Sequence, residues 1–451
     1  MIDQGELTSE VTDLVRHLIR NACVNDGTAA SGQEIRSVDL LASYLEGSGL
    51  DIQRYEASPG RASLVTRLEG SDPSAPSLLL MGHTDVVPVN PDGWQRDPFG
   101  AELVDGFVWG RGAVDMLNLT ASMAVASRRL AREGFRPRGT LVYLAVADEE
   151  SGGRHGVDWM LNNARDAVLT DYVITEDGGG RLELPVPSRG GPKLPVAVAE
   201  KGPFWCTLRV RGTPGHGSMP LRTDNALLVA AEVARRLAAY WPRPRVLDVW
   251  RAFVDAMDLP EDLRRDLTDP DGIGPLIESL EDVGLARMVH AATHATIAPT
   301  MMHAGVKTNV IPDTAELTLD IRALPGQTEE ELWEMVNEAL GDLAGRAEIL
   351  MDRAEPSVES PVQTPLWDAM QRTAQRLVPG STNVPFIMSA FTDARFFRRL
   401  GIPSYGYGLF SERLSFNEVA TMYHGNDERV DQESLWLTTE LWLQLVRDFL
   451  G

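Results

Sequence analysis

Three short apolar runs, each ending in a cluster of acidic residues or histidine, constrain this chain more than any other feature. Ser77–Met81 (SLLLM) runs into Gly82-His83-Thr84-Asp85. Leu141–Ala147 (LVYLAVA) runs into Asp148-Glu149-Glu150, and Tyr172–Thr175 (YVIT) into Glu176-Asp177-Gly178-Gly179. Uninterrupted apolar runs of this length suit strands covered on both faces. A helical stretch, Leu119–Glu133, lies between the first two. Strands alternating with helices imply an α/β layered domain with a mostly parallel sheet, and such sheets gather their sites at the carboxyl ends of the strands.

The rest of the chain reads as one domain interrupted by another. Residues 9–22 and 33–46 carry helical periodicity, through Val11, Leu14, Val15 and Leu18 and then Ile35, Val38, Leu41 and Leu45. A Pro/Gly-rich stretch, Pro185–Pro195, reads as a linker. After it come an alternating strand Phe204–Arg211, a helix Asp224–Tyr240, strands His294–Met301 and Ala315–Ile321, a helix Thr328–Leu343 and a strand Ala347–Met351. That β-α-β-β-α-β order is the order of a ferredoxin-like unit, with residues 241–293 as a helical insertion. From about residue 355 the α/β style resumes. The expected division is 1–195 and 355–451 for the first domain and 196–354 for the second.

Composition excludes several classes of function. The 42 basic and 65 acidic residues leave a net charge of −23, which opposes nucleic acid or an anionic membrane as partner. The start, MIDQGELTSEVTDLV, has neither a basic nor an apolar segment of the secretory kind, and no apolar stretch is long enough to span a bilayer. A cytoplasmic protein is the expectation. Cys23 and Cys206 are too few and too far apart for a thiolate metal site or a disulfide scaffold, and read as buried thiols.

The strand-end clusters suit divalent cations. Imidazole and carboxylate satisfy borderline metals such as zinc, and one carboxylate can serve two ions. Two further segments offer the same residue types: Gly110-Arg111-Gly112-Ala113-Val114-Asp115 and Tyr423-His424-Gly425-Asn426-Asp427-Glu428. Any one histidine or acidic pair alone reads as an ordinary structural or surface feature. Several, each just after an apolar strand, read as a metal hydrolase.

On these residues the chain resembles the dinuclear zinc amidohydrolases that include aminoacylase, carboxypeptidase G, succinyl-diaminopimelate desuccinylase and carnosinase-type dipeptidases. The matching segments are MGHTDVVP, WQRDPFGAELVDGFVWGRGAVDM, ADEESGG, DYVITEDGG, RGTPGHGSMP, TNVIPDTAELTLDIR, FTDARFF and YHGNDERV, in family order over most of the chain. The resemblance implies a zinc-peptidase-like catalytic domain interrupted by a ferredoxin-like lid that also serves dimerisation. It implies that His83 and Asp177 hold one metal, that Glu150 and His424 hold the other, and that Asp115 bridges them. Glu176, next to Asp177, is the alternative for the first metal. Asp85 would hydrogen-bond the His83 imidazole and fix its tautomer. Glu149 would be the general base, taking a proton from the attacking water and passing it to the leaving amine. His216 matches the lid histidine that stabilises the oxyanion, often from the partner subunit, and Asn309 and Arg322 match the lid pair, with Arg322 suited to a substrate carboxylate.

Two departures bear on substrate. Leu117 stands where relatives carry Lys or a small polar residue, and Ser389-Ala390-Phe391 replaces a Gly-Gly pair, so Phe391 narrows the pocket or makes it more apolar. The expected activity is hydrolysis of a small-molecule amide or peptide with a free carboxylate, of aminoacylase or carboxypeptidase type. The alternatives are a dipeptidase, or a non-catalytic binding protein on the same scaffold. The expected cofactor is a pair of divalent ions, zinc first, with cobalt or manganese able to share the ligands. A homodimer through the lid is one expected assembly; the alternative is a monomer in which the long insertion covers that surface.

Overall fold

The computed structural model describes residues 3–184 and 190–451. Its main strands, in chain order, begin with β1 (Asp51–Ser58), β2 (Arg61–Leu68), β3 (Leu78–His83), β4 (Leu141–Val146), β5 (Tyr172–Thr175) and β6 (Lys193–Glu200). They continue with β7 (Gly202–Arg211), β8 (Thr296–Ala304), β9 (Thr314–Ala323), β10 (Ala347–Ala354), β11 (Thr382–Met388) and β12 (Ser404–Gly406). The helices that matter below are α1 (Gln4–Asn21), α2 (Leu117–Arg132), α3 (Ala226–Ala239), α4 (Asp248–Ala256), α5 (Val283–Thr293), α6 (Glu329–Leu340) and α7 (Gln432–Leu450).

An eight-stranded sheet with order β1-β2-β4-β3-β5-β12-β6-β11 forms the larger body. The sheet is mixed, with four parallel and three antiparallel strand pairings. β3 runs parallel to β4 and β5, β5 to β12, and β6 to β11. β1 and β2 form an antiparallel hairpin, β2 is antiparallel to β4, and β12 meets β6 antiparallel. The hairpin follows from its short turn, Pro59-Gly60, because a parallel pair needs a long crossover. Gly60 takes φ +84, where a Cβ would also press on the Gln33 amide at 2.6–2.8 Å. The edge strand β1 carries few apolar residues, so it lacks the signal that marked the central strands.

Helices α1, α2 and α7 cover one face of this sheet. Trp442 of α7 is fully buried and donates its indole N–H to Ser122 Oγ of α2 at 2.9 Å. The apolar stripe of α1 (Leu7, Val11, Leu14, Leu18) enters the same core. Burying side chains of this size contributes about 1.5–3 kcal/mol each.

Strands β7 to β10 form a separate antiparallel sheet, order β8-β9-β7-β10. Its β9 alternates buried and half-buried residues, and α3 and α6 cover the buried face through Val233, Leu237, Leu332 and Val336. Thr328 and Glu331 close a capping box at the start of α6. The end of the stretch read as a linker is strand. Residues 185–189 lie outside the described residues, but Lys193–Glu200 is β6, paired with β11 in the large sheet. β6 ends at Glu200 and β7 of the small sheet starts at Gly202.

Residues 248–293 fold as four helices with their own core of Trp250, Phe253, Val254, Ile273 and Ile277. That core includes Val384 of β11, so the insertion rests on an edge strand of the large sheet. Among the described residues no helix is long and apolar enough to cross a membrane. Cys23 and Cys206 are buried and free.

Candidate active site

Parallel pairing sets the site. β3, β4 and β5 are neighbours running the same way, with His83 opposite Val146 and Leu80 opposite Ile174. Their carboxyl ends therefore fall on one edge and present His83, Glu149, Glu150, Glu176 and Asp177 together. Asp115 arrives on the loop before α2. Glu428 holds that loop: its buried carboxylate accepts from the backbone N–H of Gly112 (2.9 Å), Val114 (2.7 Å) and Asp115 (3.0 Å) and from Arg111 (2.9 Å). Gly112 is required there, at φ +89, since a Cβ would meet the Leu117 side chain at 2.6 Å.

Two groups of ligand-type atoms share Asp115. Each group lies within 4.8 Å: His83, Asp115 and Glu176 in one, Asp115, Glu150 and His424 in the other. His83 Nε2 is 3.2 Å from Asp115 Oδ1 and 3.3 Å from Glu176 Oε2. His424 Nε2 is 3.4 Å from Asp115 Oδ2 and 3.1 Å from Glu150 Oε2. The two oxygens of Asp115 thus face different histidines, the arrangement a shared ligand needs.

Asp177 and Glu176, the two candidates for the first metal, face different partners. Asp177 Oδ1 accepts from the Tyr423 hydroxyl at 3.2 Å and from Gly178 N at 2.8 Å, and it is Glu176 that reaches His83. The backbone leaves the extended conformation at Asp177, with φ +80, so the two neighbours point to different partners. Asp85 stands beside the His83 ring. Its carboxylate stands 3.6 Å from His83 Nδ1, while its backbone carbonyl takes that nitrogen at 2.9 Å. The carboxylate instead accepts from Asn25 (2.8 Å) and from the backbone N–H of Glu149 (3.3 Å) and Glu150 (3.2 Å).

Crowded buried acids perturb one another. Burial, then Asp115, pushes Glu150 up to about 7, and burial pushes Glu176 up to about 7 and Asp177 up to about 6. Burial, then Glu176 and Asp393, holds Glu149 well above the usual carboxylate range. Hydrogen bonds to Asp115 and Glu150 raise His424 to about 10. Burial works against a charged His83, yet Glu176 and Asp115 raise it well above its ordinary value. One buried oxygen of Glu149 and one of Glu150 have no hydrogen-bond partner among the described residues. Clustered carboxylates, two imidazoles and unpartnered carboxylate oxygens are a donor set that fits a pair of divalent cations.

Behind the acids lies a second buried network that the sequence did not announce. Arg61 grips Glu34 through Nε (2.8 Å) and Nη2 (2.8 Å) and reaches Asp148 at 2.6 Å. Asn25 spans Asp148 (3.1 Å) and Asp85 (2.8 Å). Asp148 sits in the left-handed region, φ +69, at the turn that delivers Glu149 and Glu150.

The acids open into a cavity of about 770 Å³. Arg322 and Phe391 line it. Arg322 is held by Asp320 at 2.7 and 3.2 Å and packs against the Trp205 and Phe391 rings, leaving Nη1 without a hydrogen-bond partner among the described residues. His216 and Asn309 do not line the cavity. Both are exposed on the small-sheet unit, where Ser218 bonds His216 Nδ1 at 2.8 Å and Gly217 N donates to the Asn309 carbonyl at 2.9 Å.

Comparison with known proteins agrees with this architecture. The chain is 27% identical over 396 residues to the Xenopus tropicalis N-fatty-acyl-amino acid synthase/hydrolase PM20D1, covering 86% of this chain and 75% of the relative. It is 26% identical over 405 residues to human aminoacylase-1, covering 88% and 86%. Among solved structures, the M20 family metallo-carboxypeptidase Sso-CP2 of Sulfolobus solfataricus superposes with a TM-score of 0.72 at 18% identity, over 98% of this chain and 99% of that one. Human carnosine dipeptidase 1 gives 0.67 at 15% identity, over 99% and 96%. With residues 79–448 matching the family model and the ligand-type residues gathered at the strand ends, the chain belongs to peptidase family M20/M25/M40.

Proposed function

We propose that this metal-dependent amide hydrolase cleaves N-acyl amino acids. The observation that carries the reading is one cleft that joins two ligand groups sharing Asp115, a buried Glu149 beside them, and an Arg322 Nη1 with no partner among the described residues. His83, Asp115 and Glu176 would hold one zinc ion, and Asp115, Glu150 and His424 the other. When bound, such ions supply Lewis acidity to the amide carbonyl and lower the pKa of water.

The chain's own residues do the rest. Arg322, oriented by Asp320, pairs with the substrate carboxylate through its planar fork. Glu149 takes the proton of the attacking water and hands it to the leaving amine; its buried setting keeps the carboxyl basic enough for both steps. Asp85 keeps His83 and the Glu149–Glu150 backbone in register through its carbonyl and carboxylate. Glu428 fixes the Asp115 loop.

The small-sheet unit, ferredoxin-like in its βαββαβ order, acts as lid and dimerisation domain, with residues 1–200 and about 355–451 as the catalytic domain. The exposed position of His216 and Asn309 supports their serving the site of a second copy. Exposed apolar residues nearby, Met219, Leu221, Met301 and Met302, support a paired surface.

The test is amine release from a panel of N-acyl amino acids and dipeptides, with Glu149→Gln as control. The reading expects acyl amino acids to be cleaved and the variant to lose turnover by at least about a thousandfold while keeping its metals. Dipeptides cleaved in preference, or full activity in E149Q, would refute it.

A further inference from the structure

The cavity is larger than an amide bond and a carboxylate require, and its far side has a consistent chemistry. Three elements build that side: α4 supplies Val249, Trp250 and Phe253; α5 supplies Met288, Ala291 and Ala292; and Phe386 of β11 faces Phe416. Trp250 is fixed by donating its indole N–H to the Leu267 carbonyl at 2.8 Å, and it stacks on Phe253 with centroids 5.2 Å apart and planes 9° from parallel. Phe386 and Phe416 meet edge to face at 5.5 Å. These walls are pinned rings and aliphatic groups. Among the described residues, the charged ones lining the cavity are Arg287, the acid cluster, His424 and Arg322.

That contrast decides what fits. A peptide extending toward α4 and α5 would leave its backbone N–H and C=O groups without partners against the rings, at a cost of about 1–3 kcal/mol for each. A hydrocarbon chain has no such groups. An amino-acid side chain is too small to fill this space: at roughly 30 Å³ per methylene, about the share of a liquid water molecule, a chain of about ten carbons takes about 300 Å³, which leaves room for the amino-acid head within the 770 Å³ cavity. The side chain also leaves the same carbon as the carboxylate held by Arg322, whereas an acyl chain departs from the other side of the amide.

We propose that the helical insertion is an acyl-chain gauge: α4 and α5, lying against Phe386 of β11, form a binding site for a long unbranched acyl group and set its greatest length. This rests on the N-acyl amino acid reading above and adds which half of the substrate the insertion recognises. It also gives the insertion a reason to rest on the large sheet rather than on the sheet it interrupts, since the gauge must stay fixed relative to the acid cluster.

The experiment measures kcat/KM of the zinc-loaded protein for acetyl, butanoyl, octanoyl and dodecanoyl amides of one amino acid, and for acetyl amides of several amino acids. Specificity should climb up to about fourfold for each methylene until the cavity is full. Ala292→Trp should lower the dodecanoyl-to-acetyl ratio at least tenfold, and Met288→Ala should move the optimum to longer chains. A ratio unchanged in both variants, or a flat acyl series with strong dependence on the amino-acid side chain, overturns the gauge and leaves the amide hydrolase standing. No cleavage of any acyl amino acid overturns the parent reading as well.

Discussion

Replacing Arg61 with methionine should weaken both the fold and the reaction, by amounts the structure sets. Arg61 is 2% exposed and its fork holds Glu34, which is 0% exposed, and Asp148, which is 2% exposed. Removing one partner of a buried ion pair costs about 3–5 kcal/mol, because the carboxylates left behind must be buried uncompensated or take up protons. Unfolding entropy of about 2.1 cal/mol/K per residue gives about 0.9 kcal/mol/K for a chain of this size melting as one unit. The expected fall in Tm is therefore about 3–5 °C. Asp148 keeps Asn25 and the His155 N–H (2.8 Å) as partners, so the turn that delivers Glu149 loosens without collapsing. Supporting contacts of this kind are worth about 10- to 100-fold in activity or metal affinity. Calorimetry and steady-state kinetics of R61M, beside R61K, read both effects. R61K should recover part of the stability while kcat stays depressed, since an ammonium cannot grip two carboxylates as a fork does. A Tm within 1 °C of the parent and an unchanged kcat would refute the reasoning.

Other outcomes follow from the same geometry. Glu176→Ala should halve the bound zinc measured by mass spectrometry while Asp177→Ala keeps both ions; the reverse pattern would return the ligand role to Asp177. Arg322→Ala should raise KM at least tenfold for substrates with a free carboxylate and leave their methyl esters little changed, as a kinetic comparison of acids and esters would show. Metal-free protein should lose stability as pH rises. Glu150 and Glu176, raised to about 7 from 4.5, hold protons in the folded state that the unfolded chain has released, so their contribution is complete below about pH 4.5 and gone above about pH 7. Zinc binding should tighten over the same window because the ligands must shed those protons. Thermal melts of chelated and zinc-loaded protein at pH 5 and 7.5 check both signs, and a metal-free Tm that rises across the window contradicts the account.

Much of the site was legible because residue type and position coincide. His83, Glu149 and Glu150 sit where parallel strands end, and a strand end is visible as an apolar run stopping. Asp115 and His424 lie on loops and became legible through the surrounding motifs. Glu176 and Asp177 are adjacent, and only the turn at Asp177 decides which one faces His83. Arg61, Glu34 and Asn25 look like surface residues in sequence, since nothing local records that they are buried against the Asp148 turn. The mixed character of the large sheet was hidden for a related reason: β1 is a half-exposed edge strand and lacks the apolar signal of β3 and β4. The helices of residues 248–293 were readable as helices, but their resting place on β11 depends on contacts more than a hundred residues apart.

The central claim is that paired metals on a shared Asp115 support amide cleavage. The most direct test is amino-acid release from an N-acyl amino acid by chelator-stripped protein titrated with zinc. The account predicts no release at the start and a rise that levels off near two equivalents, with Asp115→Ala silent throughout. Release by the stripped protein, or silence of the parent after two equivalents are bound, would contradict it.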